Sequence, residues 1–344
     1  MSNLQIGLAI VGVLVLAGVI AHSAWSSRRN TPRQASPDRP ERGVAAAAQQ
    51  EPRMQREPDS GSGFALPQPE KRPLMDALID VVAPIAVDGP VSGDAALAVM
   101  PPTRRAGSKP FTIEGMNQHT QRWEVPLAGQ RYSAFQAGVQ LANRSGGLNE
   151  IEFSEFVIKV QAFADAINGT PDFPDMLQEV ARGRELDQFA SDHDAQLGFT
   201  LRALQSSWSP GYVQQHAARL GFVAGAMPGR MVLPASVPGM PPVLGLSFDA
   251  QAALADDPAQ TALREFSLSL DVPQVERSER AFVQLRECAK ALALAMDGQV
   301  TDDNGQALAS DAMDLIGSEL ENLYDTLAAR DLAAGSVLAR RLFS

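Results

Sequence analysis

The sequence predicts an α+β domain, a sheet with helices packed on one face, carried behind a single membrane span and a Pro-rich linker. Three observations lead there. Short alternating runs such as Leu197–Leu201 and Phe266–Leu270 read as strands, longer stretches with apolar residues three and four apart read as helices, and an unbroken apolar run opens the chain.

That opening run is Ile6–Ala21, extended by Leu4, Ala24 and Trp25, with no Lys, Arg, Asp or Glu before Arg28. A helix over 4–25, at about 1.5 Å per residue, is long enough for a hydrocarbon core of roughly 30 Å. Met1–Leu4 carries no basic side chain, whereas Arg28, Arg29, Arg33, Arg39 and Arg42 follow the run. Basic residues next to a span stay in the cytoplasm. The expected topology is therefore single-pass, N-terminus outside and bulk inside, with Trp25 at the inner interface. A cleaved signal is the alternative, with Ala21-His22-Ser23-Ala24 as a loose small-residue cleavage site. The single cysteine, Cys288, fits a reducing compartment and cannot form an intramolecular disulfide.

Residues 26–109 read as a linker. Pro32, Pro37, Pro40, Pro52, Pro58, Pro67 and Pro69, the Gly61-Ser62-Gly63 run and few large apolar residues leave residues 26–72 too little surface to bury. Leu74–Val82 reads as a short helix or docking motif, and Pro84, Pro90, Pro101 and Pro102 extend the loose reading to Lys109. Residues 28–72 hold nine basic and six acidic side chains, a net of +3, which leaves −14 on the remainder of a chain of net charge −11. A basic arm beside the span suits anionic lipid, while the acidic remainder is repelled from lipid and nucleic acid.

Residues 110–190 read as an additional strand-helix-helix segment and 191–344 as the main domain. Expected helices are Leu148–Ile167, with Ser154 as a cap from within a looser first turn, Met176–Ala190, Ser209–Leu220, Ser278–Met296 and Ser310–Asp331. Ser209 is a natural N-cap with Pro210 at the first helical position, and Gly221 closes that helix. Besides Leu197–Leu201 and Phe266–Leu270, the strand candidates are Phe222–Met227, Met231–Leu233, Val243–Phe248 and Gln299–Asp302. The strand, loop, helix order of Phe135–Ile167 returns in Phe266–Met296. It is either a duplicated half-module or a common supersecondary order.

Catalytic chemistry is not legible. There is no phosphate-binding loop, dinucleotide fingerprint, nucleophile elbow or His-Glu-x-x-His pattern. His22, His119, His193 and His216 are scattered. His193, between Asp192 and Asp194, reads as a surface position before a strand, with a metal ligand or general base as the sharper alternative. Asp302-Asp303-Asn304-Gly305 reads as a tight turn rather than half a calcium loop. Cys288 reads as a packed thiol. No catalytic residue, cofactor, metal or small-molecule substrate is expected.

The ordered set of parts from about Asp194 resembles the ZipA family of bacterial division proteins. Leu197–Leu201 looks like its first strand, and Ser209–Gly225 like its first helix with Leu220-Gly221-Phe222 at the exit. Leu268-Ser269-Leu270-Asp271-Val272-Pro273 is similar to its strand ending in Val-Pro, and Gly298-Gln299-Val300-Thr301-Asp302-Asp303 follows the next helix as in that family. The span and linker match its architecture. The resemblance implies an antiparallel sheet with helices on one face, whose other face binds the C-terminal tail peptide of FtsZ. It also implies a non-enzymatic role, tethering FtsZ polymers to the inner membrane at the division site. By position, the partner-binding residues are Gln196, Gly198, Thr200, Met227, Gly229, Phe248, Ser267 and Ser269. The family is mostly apolar there, with an aromatic near Ser269; here only Met227 and Phe248 are clearly apolar. An apolar anchor loses roughly 25 cal/mol for each Å² left unburied, which points to weaker tail binding or a displaced partner surface. A membrane-bound adaptor for another partner, recognised through 110–190, is the nearest alternative. A tethered hydrolase using Asp/Glu or His193 is a further one.

Overall fold

The computed structural model describes residues 32–35 and 75–344, apart from 256, 258, 303 and 304. The expected span at 4–25 lies outside the described residues. Among the described residues no helix is long and apolar enough to cross a membrane. The fold is α+β, with antiparallel sheets and helices. Two units separate. Among the described residues, the C-terminal unit gathers 32–35, 141–148 and 180–344, and the N-terminal unit 75–140 and 149–179.

The N-terminal unit begins with β1 (Asp80–Val87), β2 (Val91–Ser92) and α1 (Gly93–Ala98), where the prolines had suggested a linker running to Lys109. Pro84 is accommodated because its carbonyl, and with it its nitrogen, faces away from β6 (Arg131–Gln140), toward Asp172, whose N–H the carbonyl accepts at 2.9 Å. Then come β3 (Arg105–Ala106), β4 (Lys109–Asn117), β5 (Trp123–Glu124), β6 (Arg131–Gln140), α2 (Glu150–Ala166) and β9 (Gly169–Pro171). The strand order is β3-β4-β6-β1-β9. Phe111, Phe135, Val81 and Ile85 point inward with Phe153, Phe156 and Phe163 of α2, and Phe135 meets Phe163 edge-on at 5.5 Å. Asn149, not Ser154, caps α2. Its carboxamide oxygen accepts from Ile151 and Glu152, and Glu152 reaches back in a capping box, while the Ser154 hydroxyl donates to the Glu150 carbonyl at 2.7 Å.

The C-terminal unit holds the hairpin β7 (Ala142–Asn143) and β8 (Gly146–Gly147) and, from Val180 onward, helix α3 (Met176–His193). The main sheet is built from β10 (Gln196–Ala203), β11 (Val223–Ala224), β12 (Arg230–Leu233), β13 (Leu244–Ser247), β14 (Glu265–Asp271) and β15 (Gly298–Thr301), in the order β11-β12-β13-β14-β10-β15. The helices are α4 (Pro210–Ala218), the short α5 (Ala250–Ala253), α6 (Ala281–Met296), α7 (Ser310–Ala329) and α8 (Val337–Leu342). Ser209 caps α4, with Pro210 in the first turn. Helix α6 starts three residues later than its apolar pattern suggests, because Arg277–Glu279 form a 3₁₀ turn and Arg280 is left-handed at φ 50°. Phe199, Leu201, Phe266, Leu268 and Leu270 form the sheet side of the core, and Phe282, Leu285, Ala289 and Leu292 the α6 side. Cys288 is buried among them. Burial, with Glu287 adding to it, pushes its thiol pKa up, as expected of a packed thiol.

The two sheets share one topology. In each, the first strand (β1, β10) lies between the penultimate strand (β6, β14) and the last (β9, β15), every pair antiparallel. Val81 opposes Val139 as Leu197 opposes Leu270, and Ile85 opposes Phe135 as Leu201 opposes Phe266. The helix between penultimate and last strand buries Phe153, Phe156, Val160, Phe163 and Ile167 in one unit, and Phe282, Leu285, Ala289, Leu292 and Met296 at identical spacing in the other. Both helices give way to a left-handed residue, Asn168 (φ 54°) or Asp297 (φ 57°), and then to the glycine that opens the next strand. The Phe135–Ile167 echo of Phe266–Met296 is part of a repeat of the whole sheet-and-helix order.

Candidate functional site: the open sheet face of the C-terminal unit

Alternation along β10 and β14 sends Phe199, Leu201, Phe266, Leu268 and Leu270 into the core, and so turns Gly198, Thr200, Ser267 and Ser269 outward. The register joins them. Gly198 lies opposite Ser269, Thr200 opposite Ser267, and Thr200 also opposite Thr301, whose hydroxyl donates to the Thr200 carbonyl at 3.2 Å. Across β13, Gly245 faces Ser269 and Ser247 faces Ser267. A Cβ at Gly245 would come within 2.6 Å of the Ser269 hydroxyl oxygen, so this row lies low because Gly245 carries no side chain. The result is a shallow floor of glycine, serine and threonine, continued by Val232 and Val223 toward the β11 edge. Such a floor offers hydroxyl donors and acceptors, and room for bulkier side chains on whatever lies upon it.

The face is closed at one end by a charge cluster that no local sequence pattern announces. Arg144, at the tip of the β7–β8 hairpin, donates to both Asp194 oxygens (2.8 and 2.6 Å) and both Asp271 oxygens (2.7 and 2.8 Å). The two carboxylates raise the guanidinium pKa further above its already high value. Gln196 pairs with Asp271, and with its amide oxygen turned to Arg144 it accepts at 3.0 and 3.2 Å. Arg144 is far in sequence from Asp194 and Asp271, and no local pattern links them.

The eight residues expected to bind a partner fall into two groups. Gly198, Thr200, Ser267 and Ser269 share one patch, with Gln196 at its end. Met227, Gly229 and Phe248 lie together elsewhere, at the turn into β12. There Met227 is 55% exposed, whereas Phe248 is buried and in phase with the core residues Leu244 and Leu246. Gly229 is left-handed (φ 75°) and accepts the Phe248 N–H at 2.9 Å. A Cβ there would lie 2.6 Å from the Phe248 carbonyl oxygen, so the turn itself requires glycine. Gly245, Ser247 and Val232 also belong to the outward face, brought there by a register across β13 that is invisible in the sequence.

The matching face of the N-terminal unit is differently furnished. Gly138 stands where Ser269 stands, and a Cβ there would come within 2.3 Å of the Met75 sulfur. The Met75 N–H donates to buried Glu114 at 3.1 Å, and Gln136 donates to the other Glu114 oxygen at 2.8 Å.

His193 ends α3, its ring stacked on Phe189 at 4.3 Å and its Nδ1 2.7 Å from the Phe189 carbonyl oxygen. Arg330 lies over the same Phe189 ring. Among the described residues no group of three or more His, Cys, Asp or Glu is placed to hold a metal ion.

The C-terminal unit thus sets an antiparallel sheet with helices on one face against a shallow, polar floor on the other. Residues 254–319 match the model of the family described as ZipA, C-terminal FtsZ-binding domain, and this stretch is ZipA-like. It runs from the end of α5 through β14, α6 and β15 into α7, and so contains Ser267 and Ser269 of the floor and the buried Thr301. That family is one of protein-binding domains rather than of enzymes. No curated protein matches the chain.

Proposed function

We propose that this is a cell-division protein which binds the C-terminal tail of FtsZ on the open face of the β10–β14 sheet and tethers FtsZ polymers to the cytoplasmic membrane. The observation that carries the reading is the ZipA-like match over 254–319, which includes the strand presenting Ser267 and Ser269. The apolar run at 4–25 supplies the anchor, and the arginines after it favour a periplasmic N-terminus with the bulk of the chain in the cytoplasm at the division site. Each tail contact can be weak, because many tethers on one polymer act through effective concentration.

Fluorescence anisotropy of a labelled FtsZ tail peptide against the full chain tests the site. Gly198→Glu or Ser269→Arg fills the floor and should weaken binding by about tenfold or more while leaving the melting temperature unchanged; about 1.4 kcal/mol corresponds to tenfold. Unchanged binding by both variants moves the site elsewhere. The polar character of Ser267, Ser269 and Thr200 favours a second reading, the same anchored module serving a more polar partner. Failure of the wild-type chain to bind the tail would select it.

A further inference from the structure

The N-terminal segment Pro32–Ala35 sits on the C-terminal unit as a strand-like piece. The Arg33 N–H donates to the Ser207 carbonyl at 2.7 Å, and the Arg33 carbonyl accepts the Ser209 N–H at 2.9 Å, a parallel bridge on Trp208. On its other side Trp208 exchanges backbone hydrogen bonds with Leu263 at 2.9 and 2.8 Å, so Arg33 is the third strand of a small ladder. The Arg33 side chain is recognised as well. Its Nη1 donates to the Met296 carbonyl at 2.9 Å and its Nη2 pairs with Asp297 at 3.0 Å. That carbonyl belongs to the last turn of α6, the negative end of a helix, where a cation is favoured. It also accepts the indole N–H of fully buried Trp208 at 2.9 Å. Pro32 is buried, and Gln34 reaches the Ala259 carbonyl at 3.5 Å.

Backbone pairing on both sides of one residue, a two-pronged guanidinium contact and a buried proline form a specific seat for an extended Pro-Arg segment. We propose that this seat is a binding site whose ligand is the chain's own Pro32–Ala35, and that the pair forms a latch holding the ZipA-like unit close to the bilayer. Its consequence at the bilayer rests on the membrane span proposed for residues 4–25. From Trp25, Arg33 lies within about 28 Å at full extension, at up to about 3.5 Å per residue. With the latch open, the Pro-rich linker expected from the sequence over 26–72 sets the limit, and its length permits a reach of well over 100 Å by the same measure. The latch is thus a switch between a short and a long tether, worked by a site remote from the open sheet face.

Trypsin reads the seat directly on the full chain in detergent, with Arg42–Gly43 in the same molecule as the reference bond. Cleavage at Arg33–Gln34 should be at least tenfold slower than at Arg42–Gly43. Asp297→Asn should bring the two rates together, and asparagine suits the left-handed backbone there, as Asn168 does at the matching position. Arg33→Lys keeps a tryptic bond but loses the two-pronged contact, and should lose most of the protection. Equal rates in the wild-type chain, or protection unmoved by both variants, overturns the docking. In phosphatidylethanolamine–phosphatidylglycerol nanodiscs, Arg33→Ala should lower energy transfer from a donor at Leu315→Cys to headgroup acceptors; unchanged transfer overturns the latch. Failure of the span itself would appear separately, as a chain that does not incorporate into the nanodisc, without affecting the tryptic ratio.

Discussion

His216 lies one turn of α4 from Tyr212, their rings 4.4 Å apart, and half-buried. Burial, and then the nearby positive charge of Arg219, hold its pKa below the usual histidine value. The unfolded chain therefore binds a proton here before the folded chain does. The stability His216 contributes is fully present above about pH 6.5 and is lost as pH falls from there through its lowered folded value. Melting temperatures of the full chain from pH 7.5 to pH 5 should decline, and His216→Gln should flatten that part of the decline. A profile identical in both proteins would assign the acid sensitivity to other groups. Gly229 and Gly298 show a different residue-level logic. Gly229 is required by a left-handed turn against the Phe248 carbonyl. A Cβ at Gly298 would stand 3.0 Å from the Trp208 ring, which in turn fixes the carbonyl that Arg33 uses. Turn geometry alone is enough to require glycine at 229.

At the scale of elements, helix α2 depends on its start. Asn149 satisfies two backbone donors and Glu152 returns the bond, while Glu152 also accepts from the Ser108 backbone N–H at 2.8 Å and hydroxyl at 2.6 Å. Asn149→Ala should cost about 1 kcal/mol, within the roughly 0.5–2 kcal/mol range of N-cap losses, measured by chemical denaturation. No measurable loss would show that the box is redundant with the Ser108 contacts. Elements with punctuation of their own were legible. The Ser209-Pro210 start of α4, the apolar stripe of α6 and the alternation of β10 and β14 can all be read locally. What escaped was set by partners distant in sequence. Pro84 looks like a strand breaker until its nitrogen is seen to face a side that asks nothing of it, and prolines 84, 90, 101 and 102 together hid β1 to β3. Half of the site had the same fate. The outward residues of β10 and β14 follow from alternation, but Gly245 and Ser247 join them only through the register of β13, and Arg144 only through the path of a hairpin.

For the whole molecule, anchorage and reach decide what a weak binding face can accomplish. A chain lacking residues 1–27 should leave the membrane fraction, and at equal concentration should retain far less polymer on lipid vesicles than the full chain, a loss of about a hundredfold or more where avidity operates. Sedimentation with vesicles measures both, and retention in the membrane fraction without the span would overturn the anchor. The repeated topology has a consequence of another kind, for how such a chain avoids misassembly. Two like sheets in one polypeptide present strands that could exchange partners during folding, the characteristic failure of repeated modules. Here the outward side chains discriminate. In its own sheet Glu114 lies opposite Gln136, which donates to it at 2.8 Å; if β14 took the place of β6, Ser267 would stand there instead. The buried carboxylate would lose that amide, at a cost on the order of 1–3 kcal/mol. One buried acid thus marks the strands of the first copy as distinct from those of the second.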